Sequence, residues 1–206
     1  AHANLGTILQ DLGKLKEAEI STRQAIELNP NFADAHLNLG NILTNHGNIE
    51  EAEICYRKAI KIKPELFEAN YNLGLILTNL SNLKEAAIYY RRAIKIKPNF
   101  ANSHSNLGII LKGLGEFSDA YKYLAAASRY APDNIFYYIN SNIRLSPIMD
   151  NDSQIDNERR QFKQAINNLK NKKNMIYGNP KSFYSSIFYL AYQNRLDDRE
   201  ILEDFS

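Results

Sequence analysis

Apolar and small residues over positions 1–132 mark pairs of amphipathic helices, and the whole pattern returns every 34 residues. The stretch AHLNLGNILTNHGNIEEAEICYRKAIKIKP, Ala35 to Pro64, recurs as ANYNLGLILTNLSNLKEAAIYYRRAIKIKP, Ala69 to Pro98. Four copies align without gaps. Their first helices share the pairs Leu5-Gly6, Leu39-Gly40, Leu73-Gly74 and Leu107-Gly108. Their second helices share Ala18, Ala52, Ala86 and Ala120, then Ala25, Ala59, Ala93 and Ala127. Gly13, Gly47, Ser81 and Gly115 mark the turn between the helices, and Pro30, Pro64, Pro98 and Pro132 close each copy.

This pattern has a direct physical reading. A single helix pair cannot bury its own apolar face, so the pairs stack into a quasi-one-dimensional solenoid. Small residues at fixed places let helix axes approach. Proline stops the second helix because it lacks an N–H and clashes with the preceding turn. Phe32 and Phe100, just after two of the prolines, start the next helix on an apolar anchor. The expected division is four repeats over 1–132 (1–32, 33–66, 67–100, 101–132), a fifth first helix within 133–146, and a helical linker over 147–206. In that linker Ser153, with Asp156 three residues on, opens a helix over about 153–171 in the manner of a capping box. Its face carries Ile155, Phe162, Ile166 and Leu169. Lysines near its end favour the helix dipole.

Within the first helices a polar position recurs. Asn4, Asn38, Asn72 and Asn106 keep one register, and Asn140 in IFYYINSN continues it. Asparagine is a mediocre helix former, so five in register suggest a use. A carboxamide carries both donors and an acceptor, as a peptide unit does. Packed helices sit ~8–10 Å apart, and an extended chain advances ~3.3 Å per residue. One asparagine per repeat therefore matches about three residues of an extended ligand. The structural alternative is that each carboxamide bonds a neighbouring helix or caps a turn locally. Ladder and packing roles are compatible.

Small residues, period and proline together resemble the tetratricopeptide repeat. The resemblance implies an all-α, right-handed superhelix whose first helices line a concave surface. The chain departs from the family at the fourth position of each repeat, where tryptophan is common and His2, His36, Asn70 and His104 stand here. These are expected to be half-buried packing residues with a hydrogen-bonded ring, since no Glu or Cys accompanies them at ligand spacing. The asparagine row resembles the superhelix of the protein O-linked N-acetylglucosamine transferases, which implies binding to the backbone of extended protein substrates. FYLAYQNRLDDREI resembles a segment at the entry to the catalytic region of SPINDLY-like members, carried by Phe188, Tyr189, Leu190, Ala191, Tyr192, Gln193, Asp198 and Arg199, with Asn194 in place of the usual glycine. The residues alone read there as an aromatic buried segment followed by a helix. A carboxylate clamp is disfavoured, because the groove position offers Glu68 and Asn72 rather than Lys or Arg.

Composition narrows the rest. With 206 residues, 25 basic and 23 acidic, the net charge of +2 gives no footprint for nucleic acid. No apolar run approaches the ~18–20 residues of a membrane span. The chain starts at Ala1 in mid-pattern, as a fragment would. Cys55 is the single cysteine, a small buried filler rather than a nucleophile, in keeping with a reducing, cytoplasmic setting. No glycine-rich phosphate loop or acid/base pair is present, so this chain is expected to bind no cofactor and to catalyse nothing itself. Its expected partners are extended protein or peptide segments, with no nucleic acid and no membrane, and exposed solenoid ends offer a face for self-association. Two readings remain open: the substrate-recruiting part of a transferase, or a stand-alone scaffold for complex assembly.

Overall fold

The computed structural model describes residues 9, 12–142 and 152–170. All described elements are helices: α1 (Leu15–Leu28), α2 (Ala33–His46), α3 (Ile49–Ile62), α4 (Phe67–Asn79), α5 (Leu83–Ile96), α6 (Ala101–Gly113), α7 (Phe117–Tyr130), α8 (Ile135–Asn142) and α9 (Asp152–Lys170). Consecutive helices pack on one another in chain order, which makes the molecule an all-α solenoid. Apart from Leu9, the first helix of the first repeat lies outside the described residues, as do residues 188–199.

The sequence markers have definite places in the packing. Leu39, Leu43, Leu73, Leu77, Leu107 and Leu111 of the first helices are buried against Ala52, Ala86 and Ala120 of the second. Gly40, Gly74 and Gly108 stand where a facing side chain leaves no room. An added Cβ would lie 2.6 Å from the Tyr56 ring at Gly40, 2.9 Å from the Tyr90 ring at Gly74, and 2.7 Å from Leu124 Cγ at Gly108. Glycine is therefore what lets α3, α5 and α7 each place a large side chain directly against the preceding first helix.

Helix ends follow the same repeat. After α2, α4 and α6 the chain passes through left-handed backbone at Gly47 (φ 80°), Ser81 (φ 60°) and Gly115 (φ 82°). This brings the N–H of Asn48, Asn82 and Glu116 onto the carbonyls of Leu43, Leu77 and Leu111 at 2.8–2.9 Å. Such closure satisfies carbonyls that the helix end would otherwise leave unpaired. Phe32, Leu66 and Phe100 precede α2, α4 and α6 without a side-chain cap. They act as apolar anchors instead: the Phe100 ring meets Phe67 at 5.0 Å and Tyr71 at 5.2 Å, edge-on. Asn134 breaks this habit at α8. Its Oδ1 accepts from the N–H groups of Phe136 (3.0 Å) and Tyr137 (3.3 Å), a capping arrangement.

The linker helix expected from Ser153 begins one residue earlier, at Asp152, and ends at Lys170. The side chains of Ile155, Phe162, Ile166 and Leu169 lie outside the described residues.

Candidate binding surface on the first helices

The fourth-position residues are fully inside, deeper than the half-burial expected, and share one bond. His36 Nε2 lies 2.9 Å from the carbonyl of Pro30, and His104 Nε2 lies 2.7 Å from that of Pro98. Asn70 Nδ2 donates to Pro64 O at 3.0 Å and to Leu66 O at 2.9 Å. Histidine and asparagine interchange here because either can supply an N–H to the carbonyl of the closing proline. His2 lies outside the described residues. Cys55 is buried, and burial, assisted by the charge of Glu51, pushes its thiol up to about 11. A thiolate is the reactive form, so this sulfur is inert near neutral pH.

The asparagine register resolves into contacts that change along the stack. Asn4 lies outside the described residues, and Asn38 is half-buried on α2. Asn72 Nδ2 on α4 donates to Asn41 Oδ1 on α2 at 2.8 Å. The same oxygen accepts from the hydroxyl of Tyr56 at 2.9 Å, and Thr44 Oγ1 lies 3.1 Å from that hydroxyl. One repeat later the position of Asn41 is taken by Leu75, and the intermediary drops out. Asn106 Nδ2 on α6 then donates straight to the Tyr90 hydroxyl at 3.3 Å. In the next copy Leu124 stands where Tyr56 and Tyr90 stood. Asn140 Nδ2 turns to the carbonyl of Phe136 in its own helix, at 2.8 Å. The row is thus partly a set of struts to earlier helices of the stack, from Asn72 to the first helix α2 and from Asn106 to the second helix α5. The Asn106 contact needs the hydroxyl that α5 delivers through the gap left by Gly74, whereas Asn72 bonds an Asn41 oxygen that the Tyr56 hydroxyl also holds.

Both tyrosines are buried, Tyr56 at 1% and Tyr90 at 0% exposure. Burial raises the phenol pKa of each, that of Tyr90 to about 12, while bonds from Thr78 and Asn106 act in the opposite direction at Tyr90. They remain neutral hydroxyls across the physiological range. Tyr56, Tyr90 and Asn41 were not singled out by sequence reasoning. The available signal was the joint recurrence of Tyr with Thr44 and Thr78, twelve residues earlier, at the repeat spacing.

Struts do not exhaust the carboxamides, since each has two N–H donors and an oxygen with two lone pairs. Asn72 and Asn106 are half-buried, and each has an exposed apolar neighbour three residues on: Leu75 at 37% and Ile109 at 41% exposure. Residues three apart share a helix face. The exposed side of α4 and α6 therefore presents oriented carboxamides beside apolar side chains. Among the described residues no group of three or more His, Cys, Asp or Glu is placed to hold a metal ion. No described helix is long and apolar enough to cross a membrane.

The family model described as tetratricopeptide repeat matches residues 33–66 and 67–100, and a second, described as TPR repeat, matches 6–47. The chain carries tetratricopeptide repeats. Solved structures agree on the TPR fold. YrrB, described as a TPR protein with an unusual peptide-binding site, is 22% identical, with a TM-score of 0.67 over 81% of this chain and 84% of that one. A MamA protein is 19% identical, with a TM-score of 0.70 over 86% of this chain and 96% of that one. MamA from Desulfovibrio magneticus RS-1 is 18% identical, with a TM-score of 0.67 over 84% of this chain and 95% of that one. No curated protein matches the chain. The TPR models begin a new repeat at Ala33 and Phe67, where α2 and α4 begin.

Proposed function

We propose that this protein is an interaction module whose first-helix surface binds extended polypeptide. The observation that carries the reading is the pairing of Asn72 with Leu75 and Asn106 with Ile109 on one exposed side. Carboxamides fixed by struts can meet backbone N–H and C=O groups, and the apolar neighbours can cover side chains. Asn38 and Asn140 extend the row, and Asn4 continues its register in sequence. A peptide-binding site in YrrB, a protein of the same fold, supports the reading. The chain serves here as a scaffold with no chemistry of its own.

Calorimetric titration with unrelated extended segments tests it. The double substitution Leu75→Glu, Ile109→Glu is expected to weaken binding at least ~tenfold while melting stays unchanged, because exposed substitutions rarely cost more than ~0.5 kcal/mol. Full binding by that folded variant would overturn the proposal.

A second reading makes the module the substrate-recruiting part of a protein O-GlcNAc-transferase-like enzyme. It is favoured by the SPINDLY-like residues at Phe188–Gln193 with Asp198 and Arg199. The structural comparisons add no support to it. In the first reading the module stands alone and assembles partners.

A further inference from the structure

Basic residues scarce on the first helices gather on the second. A cavity of about 680 Å³ opens between the C-terminal ends of α3 and α5, and its lining includes Ile60, Lys61, Glu65, Arg92, Lys95 and Ile96. The arginine one turn before Lys61 on α3 is engaged. Arg57 bonds Glu53 at 2.8 Å and Glu85 at 2.7 Å, and Arg23 in the preceding repeat bonds Glu19 and Glu51 likewise. Lys61, Arg92 and Lys95 have no ion pair with any described carboxylate, although Glu65 lines the same cavity. Arg92 is steadied by the Tyr89 ring, 5.1 Å from its guanidinium.

The bland account is that Lys61 and Lys95 sit in last turns, where positive charge favours the helix dipole. Arg92 is not in a last turn, and the repeat register shows that the combination is local. At the preceding junction the position of Lys61 is Glu27, and at the following one the position of Arg92 is Ala126. Among the described junctions of the four aligned repeats, the one between the second and third repeats carries all three cations.

We propose that this cavity is a second binding site, separate from the first-helix surface, for an acidic polypeptide segment with apolar side chains among its carboxylates. The three cations would receive the carboxylates, and Ile60 and Ile96 supply apolar lining. The volume falls in the range of organic-ligand pockets, ~300–1,000 Å³, and is far larger than a lone inorganic anion needs. A nucleic-acid strand calls for a continued basic track, which Glu27 and Ala126 interrupt on either side.

Fluorescence anisotropy of the whole chain with a labelled glutamate–leucine peptide tests the site. The peptide is expected to bind, more weakly as salt rises, because exposed charges are screened. Arg92→Glu with Lys95→Glu, both exposed positions, is expected to lower affinity at least ~tenfold with an unchanged melting curve, since opposed charge becomes like charge. Leu75→Glu with Ile109→Glu should leave this binding intact, which separates it from the first-helix surface. Equal binding of a lysine–leucine peptide, preferential displacement by a single-stranded oligonucleotide, or unaltered binding by the Arg92/Lys95 variant would overturn the proposal.

Discussion

The junctions on either side of α6 use the same pair of residue types in opposite ways. Between α4/α5 and α6, the later first helix supplies the asparagine and the earlier second helix supplies the tyrosine: Asn106 donates to Tyr90. Between α6 and α8, Leu124 removes the hydroxyl and Asn140 closes on its own backbone. There the later helix brings the tyrosine instead, and Tyr137 donates to Asn102 of α6. The contrast teaches that a residue in perfect register need not keep its role. Asn106 and Asn140 are one repeat apart, yet only the first has a hydroxyl within reach. The same boundary changes the helix start from the apolar anchor of Phe100 to the asparagine cap of Asn134.

The strongest way to break the first junction is through Gly74. Gly74→Leu would drive its Cβ toward a Tyr90 ring 2.9 Å away, a buried aromatic that has to shift as a whole and take its hydroxyl from Asn106. A loss of at least ~1–3 kcal/mol is expected, read as a lower melting temperature, and an unchanged melt would show that this interface is misplaced.

Alkaline pH attacks the same junction more gently. The Tyr90 phenol rises from an unfolded value of 10.0 to about 12 in the fold. Between those values the unfolded chain has lost the proton and the folded chain keeps it, so stability falls as pH rises through that window. Below pH 10 this contribution is fully present. Melting followed from pH 9.5 to about 12 should decline more steeply for the native chain than for Tyr90→Phe. Parallel curves would mean that the hydroxyl is solvated.

Much of the stack was legible in the sequence, because a solenoid repeats its own constraints. The period placed α2 to α7, the glycine and serine turns, and the proline stops, each set by contacts a few residues apart or one repeat away. Phe32 and Phe100 stand where anchors were expected, and the fourth-position rings are hydrogen-bonded. The asparagine contacts were not legible in the same way. They depend on which side chain a neighbouring helix places within reach, and Leu75 in the place of Asn41 and Leu124 in the place of Tyr90 change that partner from copy to copy. Periodicity reports what is constant, whereas the struts and the three-cation cavity arise where the copies differ.

The central claim is that Asn106 braces the stack through the Tyr90 hydroxyl, whereas Asn140, one repeat on and closed on its own backbone, does not. A double-mutant cycle tests it most directly: Asn106→Ala, Tyr90→Phe and the pair together, with Asn140→Ala beside them, all by chemical denaturation. Asn106→Ala should cost ~0.5–1.5 kcal/mol, the net worth of one hydrogen bond, and most of that cost should vanish in the Tyr90→Phe background. Asn140→Ala should cost little, because alanine is the better helix former by some tenths of a kcal/mol and the lost bond is local. Equal costs at Asn106 and Asn140, or an Asn106 cost that persists undiminished without the Tyr90 hydroxyl, would contradict the account.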